Sequence, residues 1–262
     1  MTIHFDRLLS VDSAKAAKAT GYGYLNGIHY MAPHNEAGAG NLCPKATAGC
    51  IALCLGKYSG QASMVADLEH GTNSVRESRK AKARMFMSER ETYLRHLERQ
   101  SARLVAKAAR ENLKPCVRLN GSTDIAFERM RFGASRQTLL ERFSNVQFVD
   151  YTKVASRFKN IPANLSLTFS RSETNEAECL ELLAQGHNVA IVFGNGLPVS
   201  RLWNGYRVID GDRHDLRHLD PKGVVVGLSP KGAKAKRDMS GFVLRDYSAC
   251  EGELAHPPRL AA

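Results

Sequence analysis

Residues 164–194, NLSLTFSRSETNEAECLELLAQGHNVAIVFG, hold two apolar runs around an amphipathic one. NLSLTFS (164–170) and NVAIVFG (188–194) are short and rich in β-branched and aromatic side chains, the composition of strands. Between them NEAECLELLAQG (175–186) repeats its apolar positions at helical spacing and ends on Gly186, a helix stop. Strand, helix, strand argues two parallel neighbours joined by a crossover.

The same alternation extends in both directions. Upstream lie PCVRLNGS (115–122), VQFVDYT (146–152) and a helical SRQTLLERF (135–143); downstream lie YRVIDGD (206–212) and VVVGLS (224–229). Tyrosine-rich GYGYLNGIHYMAP (21–33) reads as a first strand stopped by Pro33. Two capping-box patterns, Ser74-x-x-Glu77 and Ser88-x-x-Glu91, predict two helices, or one kinked near Met87–Ser88, with Pro115 ending the second. About seven strands result, and no Pro-, Gly- or Ser-rich boundary divides residues 1–262. The reading is a single-domain α/β chain, a (β/α) barrel or partial barrel of mainly parallel strands.

In such folds ligands meet the carboxyl ends of the strands, and these ends are polar here. The second runs into Arg118, Asn120, Gly121, Ser122 and Asp124, and the third into Tyr151 and Lys153. Another ends in Ser170, and a later one in Asp210 and Asp212. Arg118 and Asn120 interrupt an otherwise apolar run, which loop polarity alone explains poorly. Tyr151 with Lys153 offers an acid/base pair or hydrogen-atom donor.

The loop after the first strand, residues 34–60, is more specific. It carries Cys43, Cys50 and Cys54 of the chain's six cysteines, spaced C-x6-C-x3-C among glycines and small residues. Three thiolates leave a metal centre one open position. That suits a [4Fe–4S] cluster with a free iron, or zinc completed by His34, His70 or Cys250. Free thiols or disulfides are the plainer alternatives, and nothing in the chain suggests an oxidising compartment. Cys116 and Cys179 sit in apolar settings and read as inert core thiols.

Thirty-seven Lys and Arg against 26 Asp and Glu give a net charge of +11, which favours polyanionic partners, nucleic acid or a nucleotide first. The basic runs are Arg76, Arg79 and Lys80 in the first long helix and Lys234, Lys236 and Arg237 in a basic C-terminal segment, 229–262. The KGVVVGLSPKGAKAKRD stretch (222–238) suits a phosphate but lacks a P-loop frame. VIDGDRHDLRHLDP (208–221) clusters Asp210, Asp212 and Asp215 with two histidines, the ingredients of a Mg²⁺-dependent phosphodiesterase, a ribose site, or plain ion pairs. No apolar run is long enough to span a membrane, and the first twenty residues lack a secretory core, so a cytoplasmic protein is expected.

Two resemblances follow. Strand, three-cysteine loop, helix, then a strand ending Asn-Gly-Ser-Thr-Asp resembles radical S-adenosylmethionine enzymes, whose usual spacing is C-x3-C-x2-C. That resemblance implies a partial (β/α)6 barrel and a cluster on Cys43, Cys50 and Cys54. It also implies S-adenosylmethionine held by Asn120, Gly121, Ser122 and Asp124, with later strand ends at its carboxylate and ribose. LCPKATAGCIALC, VRLNGSTDI, DYTK and VIDGDRHDLRHLDPKG are similar to the phage and plasmid "gene product 88" family over most of residues 20–232. This implies a phage or mobile-element origin, hence a bacterial cytoplasm, and no particular chemistry. A zinc- or cluster-stabilised nucleic-acid-binding protein without catalysis remains the alternative to an enzyme.

Overall fold

A computed structural model describes residue 5, residues 7–12 and residues 14–247 of the chain. In chain order it contains β1 (Leu9–Ser10), α1 (Ala14–Thr20), β2 (Tyr24–His29), α2 (Ala48–Ala52) and α3 (Leu55–Tyr58). Then come α4 (Ser74–Ser88), α5 (Arg90–Arg110), β3 (Lys114–Arg118), α6 (Leu139–Arg142), β4 (Gln147–Thr152) and β5 (Leu165–Ser170). The remainder is α7 (Glu176–Ala184), β6 (Asn188–Val192), β7 (Leu202–Trp203), β8 (Tyr206–Asp210), β9 (Val225–Leu228) and α8 (Gly232–Lys236).

The strands form one nine-stranded sheet in the order β1-β2-β3-β4-β5-β6-β9-β8-β7. From β2 through β8 every pairing is parallel; only the end strands, β1 and β7, pair antiparallel. Seven parallel strands fall where the apolar runs lie. The two edge strands were not anticipated, because two residues carry no periodicity. β7 also carries the chain's one tryptophan, Trp203, and buries it completely.

One face of the sheet packs against α5 and α7. Leu25, Val117, Phe148, Leu167 and Phe169 from the strands meet Leu97, Leu104, Leu182 and Leu183 there. Gly27 is needed at that contact, since a Cβ would sit 3.0 Å from Leu104. The opposite face is covered by α1 and a short turn at Arg217–Leu219, where Ala19, Cys116, Val149 and Leu216 cluster. Strands β2 to β5 thus have both faces covered, as parallel sheets require. Among the described residues no helix is long and apolar enough to cross a membrane.

Helix starts differ from the sequence expectation. Asn73, not Ser74, caps α4, its side chain accepting the Arg76 N–H, while Glu77 is engaged by the Thr72 hydroxyl. Ser88 donates back to the Arg84 carbonyl and α5 starts after Glu89 without a side-chain cap. The helix expected over 135–143 shrinks to α6, where Thr138 and Glu141 form a full capping box.

Candidate functional site

The carboxyl ends of β3, β4, β5, β6, β8 and β9 open on one cavity of about 350 Å³. Cys43, Cys50 and Cys54 line it, with Arg118, Asn120, Gly121, Ser122, Asp124, Tyr151, Lys153, Ser170 and Asp212. The three clustered cysteines and the strand-end candidates for cofactor and catalysis therefore meet in one place, except Asp210; His34 and His70, offered as fourth metal ligands, are not in the lining either. Cys116 and Cys179 are fully buried in the core.

The cysteine loop is held over the cavity by named contacts. Thr47 caps α2, and the Glu173 carboxylate just past β5 accepts both the Gly49 N–H (2.7 Å) and the Thr47 hydroxyl (2.8 Å). These bonds and the Lys153 charge hold Glu173 below the usual carboxylate range although burial opposes them. Gly56 allows the loop to touch the turn after β3; a Cβ there would lie 2.6 Å from Ser122 Cβ.

The sulfurs have amide donors. His34, held at φ 48°, gives its N–H to Cys43 Sγ at 3.3 Å. The Gly56 amide favours the charged form of Cys54, while the Lys57 N–H is taken by the Cys54 carbonyl at 3.0 Å. Burial nevertheless pushes the Cys43 thiol up to about 12 and the Cys54 thiol up to about 11. The neighbouring sulfurs add to both shifts, and Lys153 opposes the shift at Cys54. Amides aimed at sulfurs whose protons burial retains suit thiols that a metal deprotonates on binding. Among the described residues no three His, Cys, Asp or Glu side chains form a group that encloses a single metal ion. Of the fourth ligands considered, His70 is exposed beside Asp67, and Cys250 lies outside the described residues.

The Asn-Gly-Ser-Thr-Asp motif is a shelf, not a set of free ligand groups. The Asn120 amide donates to the Ile125 carbonyl and to Asp150, and its oxygen accepts from the Ile125 N–H and the Thr123 hydroxyl. No capacity remains on that side chain. The Gly121 N–H bonds the His29 carbonyl so closely that a Cβ would lie 2.6 Å from that oxygen. The Ser122 hydroxyl donates to the Met31 carbonyl. Asp124 accepts from the Lys153 N–H and pairs with buried Arg157, whose guanidinium also grips Glu128. The shelf reaches the thiols directly, through the Cys43 Sγ contact with the Ser122 carbonyl and the Asp124 N–H to Leu42. Beneath it, burial raises Asp150 to about 6 although Arg157, Arg118 and Asn120 pull it back.

Other candidates are placed less centrally. The Asp210 carboxylate accepts the Asp212 N–H, while Asp212 pairs with Lys231 and accepts the Ser229 N–H. With Asp215 also engaged, the acidic cluster is a set of turn and ion-pair contacts, not a free carboxylate triad for Mg²⁺. Arg76 is buried, its guanidinium taken by the carbonyls of Ala62, Gly71, Lys57 and Leu68, so no polyanion meets it. Arg79 bonds the Gly56 carbonyl and lies over the Tyr30 ring; Lys80 pairs with Glu77, and Lys234 with Glu69. Lys236 and Arg237 stand in solvent.

Sequence reasoning missed Glu173 as the loop's latch, Arg157 as the partner of Asp124, and Lys18 and His214 in the lining. Lys18 donates to the Asp212 carbonyl from α1, a helix with no apolar periodicity to announce it. Glu173 stood at a polar strand end, the one signal that could have marked it.

An α/β protein with a mainly parallel sheet, whose strand ends and cysteine loop close on a single cavity, is the class that fold and site define. The chain belongs to the Gene product 88 family, whose model matches residues 7–246. No curated protein and no solved structure matches it. The resemblance to radical S-adenosylmethionine enzymes gains no support from these comparisons.

Proposed function

We propose that the chain is an iron–sulfur enzyme of radical S-adenosylmethionine type, built on one α/β domain with the sheet as a partial (β/α) barrel. Cys43, Cys50 and Cys54 would each hold an iron of a [4Fe–4S] cluster, with the fourth iron facing the cavity. The observation that carries this reading is the partition of the cysteines: those three line the cavity, whereas Cys116 and Cys179 lie in the core. A tetrahedral zinc site would need four donors within about 2.3 Å of one ion, whereas a cubane takes each thiolate on its own iron. Strands β2 to β6 lie side by side in chain order, which is the order of a barrel wall.

When bound, the cluster would supply one electron to a molecule on its open iron. The protein's own part is to hold and shield. The His34 amide bonds the Cys43 sulfur, and Lys153 sets positive charge beside Cys54. S-adenosylmethionine is the small molecule this reading puts in the cavity, against Ser170 and Asp212. The Tyr151 phenol, kept protonated by burial, is the hydrogen donor within reach. A nucleotide or nucleic-acid substrate rests on the net charge of +11.

Protein purified without oxygen should be brown and carry roughly four irons and matching sulfide per chain. Stoichiometric zinc without labile sulfide would sink the cluster. Alanine at Cys43, Cys50 or Cys54 should remove the iron, and serine at Cys116 or Cys179 should not. S-adenosylmethionine should alter the EPR spectrum of the reduced cluster; a spectrum that ignores it removes the radical chemistry and leaves the cluster.

A further inference from the structure

The carboxylates of the cavity are all engaged: Asp124 by Arg157, Asp212 by Lys231, and Asp215 as well. Two of its cations are not. Arg118 uses only Nε, which donates to the Asn120 carbonyl at 3.2 Å, and its guanidinium stacks 4.6 Å from the centre of the Tyr151 ring. Its Nη groups have no hydrogen-bond or ion-pair partner among the described residues, and they are not sealed in the core. Lys153 Nζ lies 5.3 Å from the Phe242 ring centre and likewise has no acceptor there. Ser170 and Tyr151 bring hydroxyls to the same lining.

We infer that the cavity is built for a phosphate-bearing small molecule, with the Arg118 guanidinium as its anchor and Lys153 as the second cation. The inference rests on the reading above only in placing that molecule beside the thiols. A planar guanidinium held by one bond and a ring stack keeps its remaining N–H groups as a fork for an oxyanion. Burial works against the charge on Arg118, but Asp215, Tyr151 and Asp150 outweigh it, so the group stays a cation. Two cations with no ion-pair partner among the described residues match a dianion, whereas a lone carboxylate would leave one of them unpaired. The size of the cavity suits a small molecule and excludes a duplex.

The test is titration calorimetry at low salt on the full chain, purified without oxygen, with inorganic phosphate and pyrophosphate as probes and acetate for comparison. Both phosphates should bind more tightly than acetate. Arg118→Met, which keeps the stem, should weaken them at least about tenfold, and Lys153→Met by less. Lys236→Ala/Arg237→Ala should bind as the parent does. Far-UV circular dichroism shows whether Arg118→Met is folded; Arg118→Lys, which keeps the charge but not the fork, should fall between it and the parent. Parent protein that binds neither phosphate, a folded Arg118→Met that binds them unchanged, or binding lost only with Lys236 and Arg237 overturns the inference. Cys43→Ala separates it from the cluster: iron lost with phosphate binding kept is the expected result. Iron present in a parent that ignores phosphate removes the anion site alone.

Discussion

Replacing Asn120 by alanine would strip four hydrogen bonds from a buried loop and leave Asp150 Oδ2 without its 2.6 Å donor. We expect an unfolding free energy lower by about 3 kcal/mol in urea titration, beyond an ordinary core substitution. On the proposed cluster reading, iron held at Cys43 should be lost with it, because the shelf supports that sulfur. His29 makes a second residue-level case. A carbonyl cannot donate, so His29 Nδ1–H donates to Leu119 and Nε2 accepts from Tyr93, which fixes the neutral ring. Burial lowers its pKa to about 4. As pH falls from about 6.5 towards 4 the unfolded chain takes up a proton that the folded one refuses, so this group costs stability, about 2 kcal/mol by pH 5. Asp150, raised to about 6, acts in the opposite direction, being protonated in the folded state first. His29→Gln should therefore lose less stability between pH 7 and pH 5 than the parent, measured by urea unfolding; an equal loss would refute the assignment. At this scale the thiols were legible because they cluster along the chain. Asn120 was not, since a polar residue at a strand end looks the same whether its partner is a ligand or a backbone carbonyl.

Elements divide in the same way. The parallel strands could be read because short apolar or alternating runs bounded by polar turns carry their own signature, as in Leu165–Ser170. β1 and β7, each two residues long, exist only because a neighbour pairs with them. The caps of α4 and α5 misled because Ser-x-x-Glu fits as well one residue off the cap: Ser74 lies just inside α4, and Ser88 is the last residue of α4, just before the Glu89 cap of α5. The short α2 depends on a contact far away in sequence, the Glu173 latch. Glu173→Gln puts one N–H₂ where two donors now point, so one of the two bonds must go. Exchange at the Gly49 and Cys50 amides, followed by mass spectrometry, should rise about tenfold, and iron should leave faster in chelator. Unaltered exchange would mean that Thr47 alone holds α2.

For the whole molecule, the net charge of +11 predicts salt-sensitive binding to polyanions. Of the six basic residues singled out, only Lys236 and Arg237 stand fully in solvent. Lys236→Ala/Arg237→Ala should flatten the plot of log affinity against log salt by roughly one to two, whereas Arg76→Ala should lower stability instead. If the double variant keeps the full slope, the contact lies elsewhere.

The sheet's strand order also has a consequence for biosynthesis. β9 sits between β6 and β8 yet is translated after both. Until residue 228 has left the ribosome the sheet is split, with the inner edge of β6 bare and the β7–β8 ribbon lacking its parallel neighbour. A bare apolar edge invites pairing with another nascent chain. A chain stalled or released before residue 228 is thus a sticky, open-edged species, and production of this protein should depend on how quickly, and with what chaperone cover, the segment 211–228 follows β8.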